Sequence, residues 1–335
     1  MRTGPAATSS GLLAAMTMAA LLAACGGRPE VQRFEGFAQG TMYHVAYVAP
    51  AGHDTAGLQR AVEAELQLID RLYSNYRDDS VVERFNAERS TGPVEVGPEL
   101  VALVEKARSV HQASRGCFEP TVGPLTALWR RVAEDQRLPD PRVVERIRER
   151  IGLDRLETAD ATRLRKTRPD MEIDLSGIAQ GESLARLADV VEAAGIDAYS
   201  IEIGGELVVR GGKPGGEPWR IAVLDPARRD AAIPEVIEYA GDRRQTIATS
   251  GTYQREFEID GQRYSHIIDP RTGRPVAHDT VSVTVAHPDP ALADAWSTAL
   301  LCLGVDDGIE VADEQRISAM FIAGNGARSV SAEWR

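Results

Sequence analysis

Apolar residues recur with two periods along this chain, and the switches between them outline its elements. In "DTAGLQRAVEAELQLIDRLYS" Leu58, Val62, Leu66, Ile69 and Tyr73 return every three or four residues, which predicts an amphipathic helix behind an Asp54/Thr55 cap. "PELVALVEKARSVHQASRG" predicts a second helix, with Pro98 at its start and Gly116 just past its end. "DPRVVERIRERIG" predicts a third, short and highly charged. Ahead of them, "EGFAQGTMYHVAYVA" interleaves polar and apolar residues around Met42 to Val48, as a strand does. In the second half "MEIDLSG" reads as a strand running into the helix "IAQGESLARLADVVEAAG", which Gly195 stops. Strand patterns then dominate: "AYSIEIGG", "ELVVRGG", "WRIAVLD", "TIATSG", "REFEIDGQRYSHIID" with an Asp-Gly hairpin turn, and "TVSVTVAH". "DPALADAWSTALLCLG" returns to helix, capped by Asp289 and stopped by Gly304. Strand runs separated from helices predict α+β layers rather than a doubly wound sheet, and no fixed-period repeat or low-complexity tract is present.

The first two dozen residues follow neither period. They hold one charge, Arg2, and the apolar run "GLLAAMTMAALLAAC", too short to span a bilayer and shaped like the core of a signal peptide. The run ends in "LAAC", Leu22 to Cys25, which resembles the lipobox of bacterial lipoproteins; an ordinary cleavage site with a chance cysteine is the plainer alternative. On the lipoprotein reading residues 1–24 are removed, Cys25 is lipidated, 25–34 form a tether, and 35–335 form the working domain outside the cytoplasmic membrane.

Composition narrows the classes. A hydrophobic content of 43% with 26% charged residues belongs to a globular chain with ample core. The net charge of −12 becomes one unit more negative without the leader, and an acidic chain is poorly suited to nucleic acid, so no nucleic-acid partner is expected. With Cys25 assigned to lipid, Cys117 and Cys302 remain, able to form one disulfide in an oxidising compartment. The absence of C-x-x-C and H-E-x-x-H excludes thiolate zinc sites and zincin proteases.

Several stretches carry candidate chemistry, each with a plain structural alternative. "RYSHIIDPRTGRPV" crowds His266, Asp269, Arg271 and Arg274 into one strand end and turn. A Ser/His/Asp triad is not what it encodes, because Ser265 and His266 point to opposite faces of a strand and the chain has no G-x-S-x-G. Asp294 and Thr298 lie four apart on a predicted helix and share a face, offering hard oxygens that suit magnesium, unless Asp294 serves the helix dipole and Thr298 only packs. In "MEIDLSGIAQG", Asp174, Ser176 and Gly177 stand at a helix entrance, which is either a phosphate site or a cap. Gly204-Gly205 permits close backbone approach or a simple hairpin. Phe118 and Tyr76 can stack on a flat ligand or fill the protein's own gaps, and Glu119 shares the Gly/Pro-bounded loop with Phe118.

Taken in order, "QGTMYHV", "YSNYRDDSVVERFN", "GCFEPTVGPLTALW", "EIDLSGIAQG", "IEIGGEL", "ATSGTYQR", "YSHIIDPRTGRP" and "ADAWSTAL" closely resemble the ApbE family, the FAD:protein FMN transferases, over roughly residues 35–325. The resemblance implies an α+β, T-fold-like architecture with antiparallel sheets flanked by helices and a flavin cleft between subdomains. It implies binding of FAD with magnesium, transfer of the FMN half to a Thr or Ser hydroxyl of an acceptor flavoprotein, and release of AMP. Magnesium would be held by Asp294, Thr298 and the Gly177 carbonyl; flavin and nucleotide contacts would map to Met42, Tyr76, Cys117, Phe118, Glu119, Asp174, Gln180 and Ile268, with Thr249 and Ser250 nearby. His266 matches a histidine proposed as general base, a role that suits an imidazole's ordinary pKa near 6.5; with Asp294 it forms the expected catalytic set. Three positions depart from the commonest family pattern: Glu119 where aspartate is usual, Gln180 where lysine is frequent, and "GESLA" where "GYAVD" is common. By the same resemblance the acceptors would be flavin-bearing subunits of quinone reductases, Rnf-type complexes or other extracytoplasmic electron-transfer proteins. A magnesium-dependent FAD pyrophosphatase and a non-catalytic flavin-binding lipoprotein are the alternatives.

Overall fold

A computed structural model describes residues 28–224, 235–254 and 256–334, together with Met1. Cys25 and the leader lie outside the described residues. Among those described, eight strands build the main sheet: β1 (Pro29–Ala38), β2 (Thr41–Pro50), β3 (Tyr199–Ile203), β4 (Glu206–Arg210), β5 (Gln245–Gly251), β6 (Thr280–His287), β7 (Ser318–Ala323) and β8 (Arg328–Val330). They are hydrogen-bonded in that same order, each antiparallel to the last, so the sheet is a meander and everything else is an insertion between neighbours.

The helices fill these insertions: α1 (Thr55–Tyr73), α2 (Val81–Ala87), α3 (Gly97–Ala113), α4 (Gly123–Asp135), α5 (Pro141–Arg148), α6 (Ala179–Ala193) and α7 (Pro290–Gln315). The periodic residues of α1 are the ones it buries, and the Asp54 carboxylate caps it by accepting from the Gly57 amide at 2.8 Å. Strand alternation sorts the two faces of the sheet. Tyr43, Val45, Tyr47, Ile201 and Val208 pack under α1 and α6. Ala46, Val48, Val209 and Ile247 face a hairpin made of Trp219–Val223 and Glu235–Tyr239. The longest helix, α7, packs on β5 and β6 and against α3 and α6, and is buried on nearly every side at the centre of the largest core.

The structure departs from the sequence reading at several places. The segment read as a tether already enters the sheet at Pro29, where β1 pairs with β2. "MEIDLSG" is not a strand: Met171, Ile173 and Leu175 are buried in alternation, but the segment's partner is the Asn86 side chain, which accepts from the Ile173 amide at 2.8 Å and donates to its carbonyl at 3.0 Å. Residues 81–87 and 123–135, to which the periodicity assigns no element, are helical. Gly304 bends α7 rather than ending it. Its φ of 77° is one that side chains avoid, a Cβ there would meet His278 at 2.7 Å, and the displaced Val305 amide donates to Thr280 Oγ1 at 3.0 Å. Among the described residues no helix is long and apolar enough to cross a membrane.

Candidate active site

The first turns of α7 meet the entrance of α6 at unusually short range. Gly181 makes this possible, since a Cβ there would fall 2.2 Å from the Pro290 carbonyl oxygen. Helix α6 has no side-chain cap of its own. Its cap comes from the neighbouring helix: Asp294 Oδ2 accepts from the Gly181 amide at 2.9 Å, and the Asp294 carboxylate also receives the Gln180 amide.

Around Asp294 the sequence-predicted oxygens gather. A Cβ built on Gly177 would lie 3.4 Å from Thr298 Oγ1 and 3.2 Å from the Phe118 ring, so the Gly177 backbone, Thr298 and Phe118 meet at one point. Ser250 of β5 lies 3.3 Å from Thr298 Oγ1 and 2.7 Å from Ser297 Oγ, while Ser297 also donates to the Asp294 carbonyl at 2.9 Å. Gln180 donates from Nε2 to the Ile203 carbonyl at 2.6 Å and sits beneath Gly204, whose amide reaches the Met42 carbonyl at 3.4 Å. The neutral amide standing where a lysine is frequent therefore holds the β3–β4 turn against the entrance of α6, and Gly204 ties the same turn to the β1–β2 hairpin.

The remaining predicted contacts divide into exposed rim and committed interior. Met42 is 41% and Tyr76 93% exposed, so both side chains are open to a ligand. Asp174 accepts from the Ser176 amide at 2.9 Å, and its own amide donates to the Pro120 carbonyl at 2.6 Å, which ties the Gly177 approach to the Phe118 loop. Cys117 is joined to Cys302 of α7 in a disulfide, so its sulfur is not available to a ligand and only its main chain is. The Glu119 carboxylate accepts from the Thr121 amide and hydroxyl at 2.9 and 2.6 Å and from the Leu153 amide at 3.1 Å; its reach is used to hold its own loop rather than toward a ligand. Ile268 is buried in a satellite core with Leu125 and Trp129. His266 occupies the bend between the strand Gln262–Ser265 and the short strand Ile268–Asp269, half-buried, and the turn that follows packs Arg271 against Gly116. In that turn Asp269 accepts from the Arg271 amide and guanidinium, which places both groups in bracing.

One residue escaped the sequence reading. Glu206 opens β4 on the same strand face as Val208, a position where alternation calls for an apolar side chain, and it is only 8% exposed. Its carboxyl lies within hydrogen-bonding reach of Asp294, itself 3% exposed, and no protein donor reaches Oε2. Burial pushes Asp294 up to about 6, with the Gly181 amide, Glu206 and the Gln180 amide pulling the other way. Burial, then the Asp294 charge, holds Glu206 well above the carboxylate range. Two buried carboxyls in contact each disfavour the other's charged form, and a cation between them would relieve that repulsion. Carboxylate, hydroxyl and main-chain carbonyl oxygens with no lysine or arginine paired to either acid, among the described residues, are a donor set that fits magnesium.

An antiparallel meander flanked by helices, with an oxygen-lined junction between two helix ends, defines an α+β protein. The profile of the ApbE family matches residues 39–321. The FAD:protein FMN transferase of Salmonella typhimurium is 35% identical over 303 residues, covering 89% of this chain and 86% of that protein, and the one from Vibrio cholerae is 36% identical over 313 residues, covering 92% of each. Among solved structures, the apo Pseudomonas stutzeri flavinyl transferase ApbE superimposes with a TM-score of 0.82 at 34% identity, covering 91% of this chain and 96% of that one. The Vibrio cholerae flavin transferase ApbE gives 0.80 at 33%, covering 91% and 98%. The chain belongs to the ApbE family.

Proposed function

We propose that this protein transfers the FMN moiety of FAD to a Thr or Ser hydroxyl of an acceptor flavoprotein, with magnesium, releasing AMP. The observation that carries the reading is the convergence of Asp294, Thr298 and the Gly177 backbone beside the buried Phe118 ring, because it sets hard oxygens next to an aromatic side chain. The names of the similar proteins support the same transfer. Asp294, Thr298 and the Gly177 carbonyl would hold the magnesium ion, which supplies charge neutralisation at the diphosphate.

The chain's own residues do the rest. Phe118, Met42 and Tyr76 orient the flavin, and the Gln180 contact fixes the turn beside it. An imidazole nitrogen of His266 takes the proton from the acceptor hydroxyl as its oxygen bonds to the FMN phosphorus. The bond from that phosphorus to the bridging oxygen breaks, and its electron pair leaves with AMP. The reading extends to location: the Cys117–Cys302 disulfide suits an oxidising compartment, and "LAAC" at Cys25 suits a lipid anchor on the periplasmic side of a bacterial membrane.

Incubating the mature chain with FAD, magnesium and a threonine-bearing acceptor domain tests this directly. Flavin fluorescence on the acceptor after denaturing electrophoresis, with AMP released in equal amount, is the expected result. Free FMN and AMP with an unlabelled acceptor would instead make the protein a pyrophosphatase, and FAD held intact would make it a binding protein.

A further inference from the structure

We propose that Glu206 is a positioning residue of the cation site, a second acid beside Asp294 that draws the divalent ion in. The inference rests on the reading of Asp294 as a cation ligand and adds a residue to it. Three observations carry it. Glu206 is more than nine-tenths buried, and its Oε2 has no protein donor, although a buried carboxylate kept for architecture collects amide or hydroxyl donors as Glu119 does. Its neighbour is Asp294, a like-charged group whose Oδ2 already accepts the Gly181 amide. Neither acid is paired with a lysine or arginine among the described residues, so the local charge balance lacks a positive partner.

A buried pair of acids without a counter-ion is unfavourable by itself. The arrangement becomes favourable when a divalent cation lies against it, and its cost in the empty protein is then the driving force for uptake. Glu206 reaches the site because it opens β4 directly after the Gly204-Gly205 turn, which Gln180 holds from below. Strand, turn and both helix ends therefore fix the two carboxyls relative to each other before any ligand arrives.

The test titrates Mn²⁺ into the mature chain, following free Mn²⁺ by electron paramagnetic resonance, with thermal unfolding recorded with and without MnCl₂. Glu206→Gln keeps the shape and gives Asp294 a donor in place of a competing acid. The expected result is Mn²⁺ affinity weakened on the order of tenfold or more, with the melting temperature of the metal-free protein unchanged or raised and its shift on adding MnCl₂ reduced. A merely structural role predicts the opposite pattern, a lower metal-free melting temperature with wild-type Mn²⁺ affinity, and that outcome overturns the proposal. Asp294→Ala separates the two readings: if it binds Mn²⁺ as well as wild type, the cation site itself is wrong, whereas loss in Asp294→Ala with full affinity in Glu206→Gln defeats the role of Glu206 alone. If Glu206→Gln does not fold, Glu206→Met, which removes the charge at similar length, is measured in the same way; unchanged Mn²⁺ affinity there likewise overturns the proposal.

Discussion

The Asp294 carboxylate of α7 accepts the Gly181 amide of α6 at 2.9 Å, so a single side chain both closes the N-terminus of one helix and faces the proposed cation from another. Its two duties make opposite demands on stability. Replacing the charged acceptor of the cap by an amide oxygen costs at most about 1 kcal/mol, while losing one of two repelling acids is favourable. Asp294→Asn should therefore fold with a metal-free stability within about 1–2 kcal/mol of wild type. It should nevertheless lose transfer by more than about a hundredfold, since a metal's charge stabilisation is worth several kcal/mol. Denaturant unfolding together with acceptor labelling checks both; a folded variant with wild-type labelling removes the assignment.

The Cys117–Cys302 disulfide spans a sequence separation of 185 residues and fastens the loop that carries Phe118 to α7. Cys302 lies one helical turn beyond Thr298, so the bond joins the aromatic side of the site to the helix that carries the proposed ligands. A cross-link over so long a loop restricts the unfolded chain strongly, worth about 3–5 kcal/mol. Replacing both cysteines by serine should lower the unfolding free energy by that amount, and dithiothreitol should lower the wild-type melting temperature while leaving the double variant unmoved. Equal melting curves with and without reductant would remove the bond from the account.

Glu192 gives the sheet-side packing of α6 a dependence on acid. Burial alone would raise its pKa, but hydrogen bonds from Arg244 and the Tyr199 hydroxyl, with the charge of Arg210 behind them, outweigh burial and lower it from 4.5 to about 2. A depressed carboxyl contributes stability that is complete above its unfolded value and is lost as pH falls through the folded one, here between about 4.5 and 2. Wild type should lose up to about 3 kcal/mol more than Glu192→Gln across that window. Parallel losses in urea unfolding for the two proteins would show that the contact carries no net energy.

Much of this fold is written in residue periodicity, and its exceptions have physical causes. Helix α1 and the Asp289 cap of α7 were legible because local spacing and local caps decide them. Residues 171–175 alternate like a strand, but a side-chain amide, Asn86, takes the place of a partner strand, and no periodicity can announce that. Gly304 looks like a helix stop; tertiary support from Thr280 carries the helix past it. In the site, Asp294 and Thr298 were visible as a helical pair, whereas the committed roles of Cys117 and Glu119 depend on partners far away in sequence or buried in the same loop. Glu206 left one signal, an acid on the inward face of a strand, and only the fold sets it beside Asp294.

Lys166 tests how far a buried charge can replace a local cap. Its ammonium is fully buried and donates to the carbonyls of Phe85 at 2.8 Å, Asn86 at 3.3 Å, Glu88 at 2.6 Å and Met171 at 3.1 Å, gathering the end of α2 and the segment that leads to Gly177. Lys166→Met preserves length and removes every donor, leaving those carbonyls short of partners, and should cost on the order of 3 kcal/mol. Calorimetry at neutral pH checks it; a loss below about 1 kcal/mol would mean that water takes over the cage.

The bend that His266 occupies is braced by neighbouring groups: Ser265 Oγ accepts from the Ile267 amide at 3.0 Å, and the Val276 amide donates to the Ile267 carbonyl at 3.0 Å. Truncating the imidazole should therefore leave this bracing in place while removing the group that accepts the hydroxyl proton. His266→Ala is expected to label acceptor on the order of a hundredfold more slowly or worse, with FAD affinity within about twofold of wild type because proton transfer is not a binding interaction. Single-turnover labelling and fluorescence titration of FAD separate the two quantities. A variant that loses FAD affinity in proportion to its rate would make His266 a ligand-holding residue, and the proton would then have to leave the hydroxyl by another route.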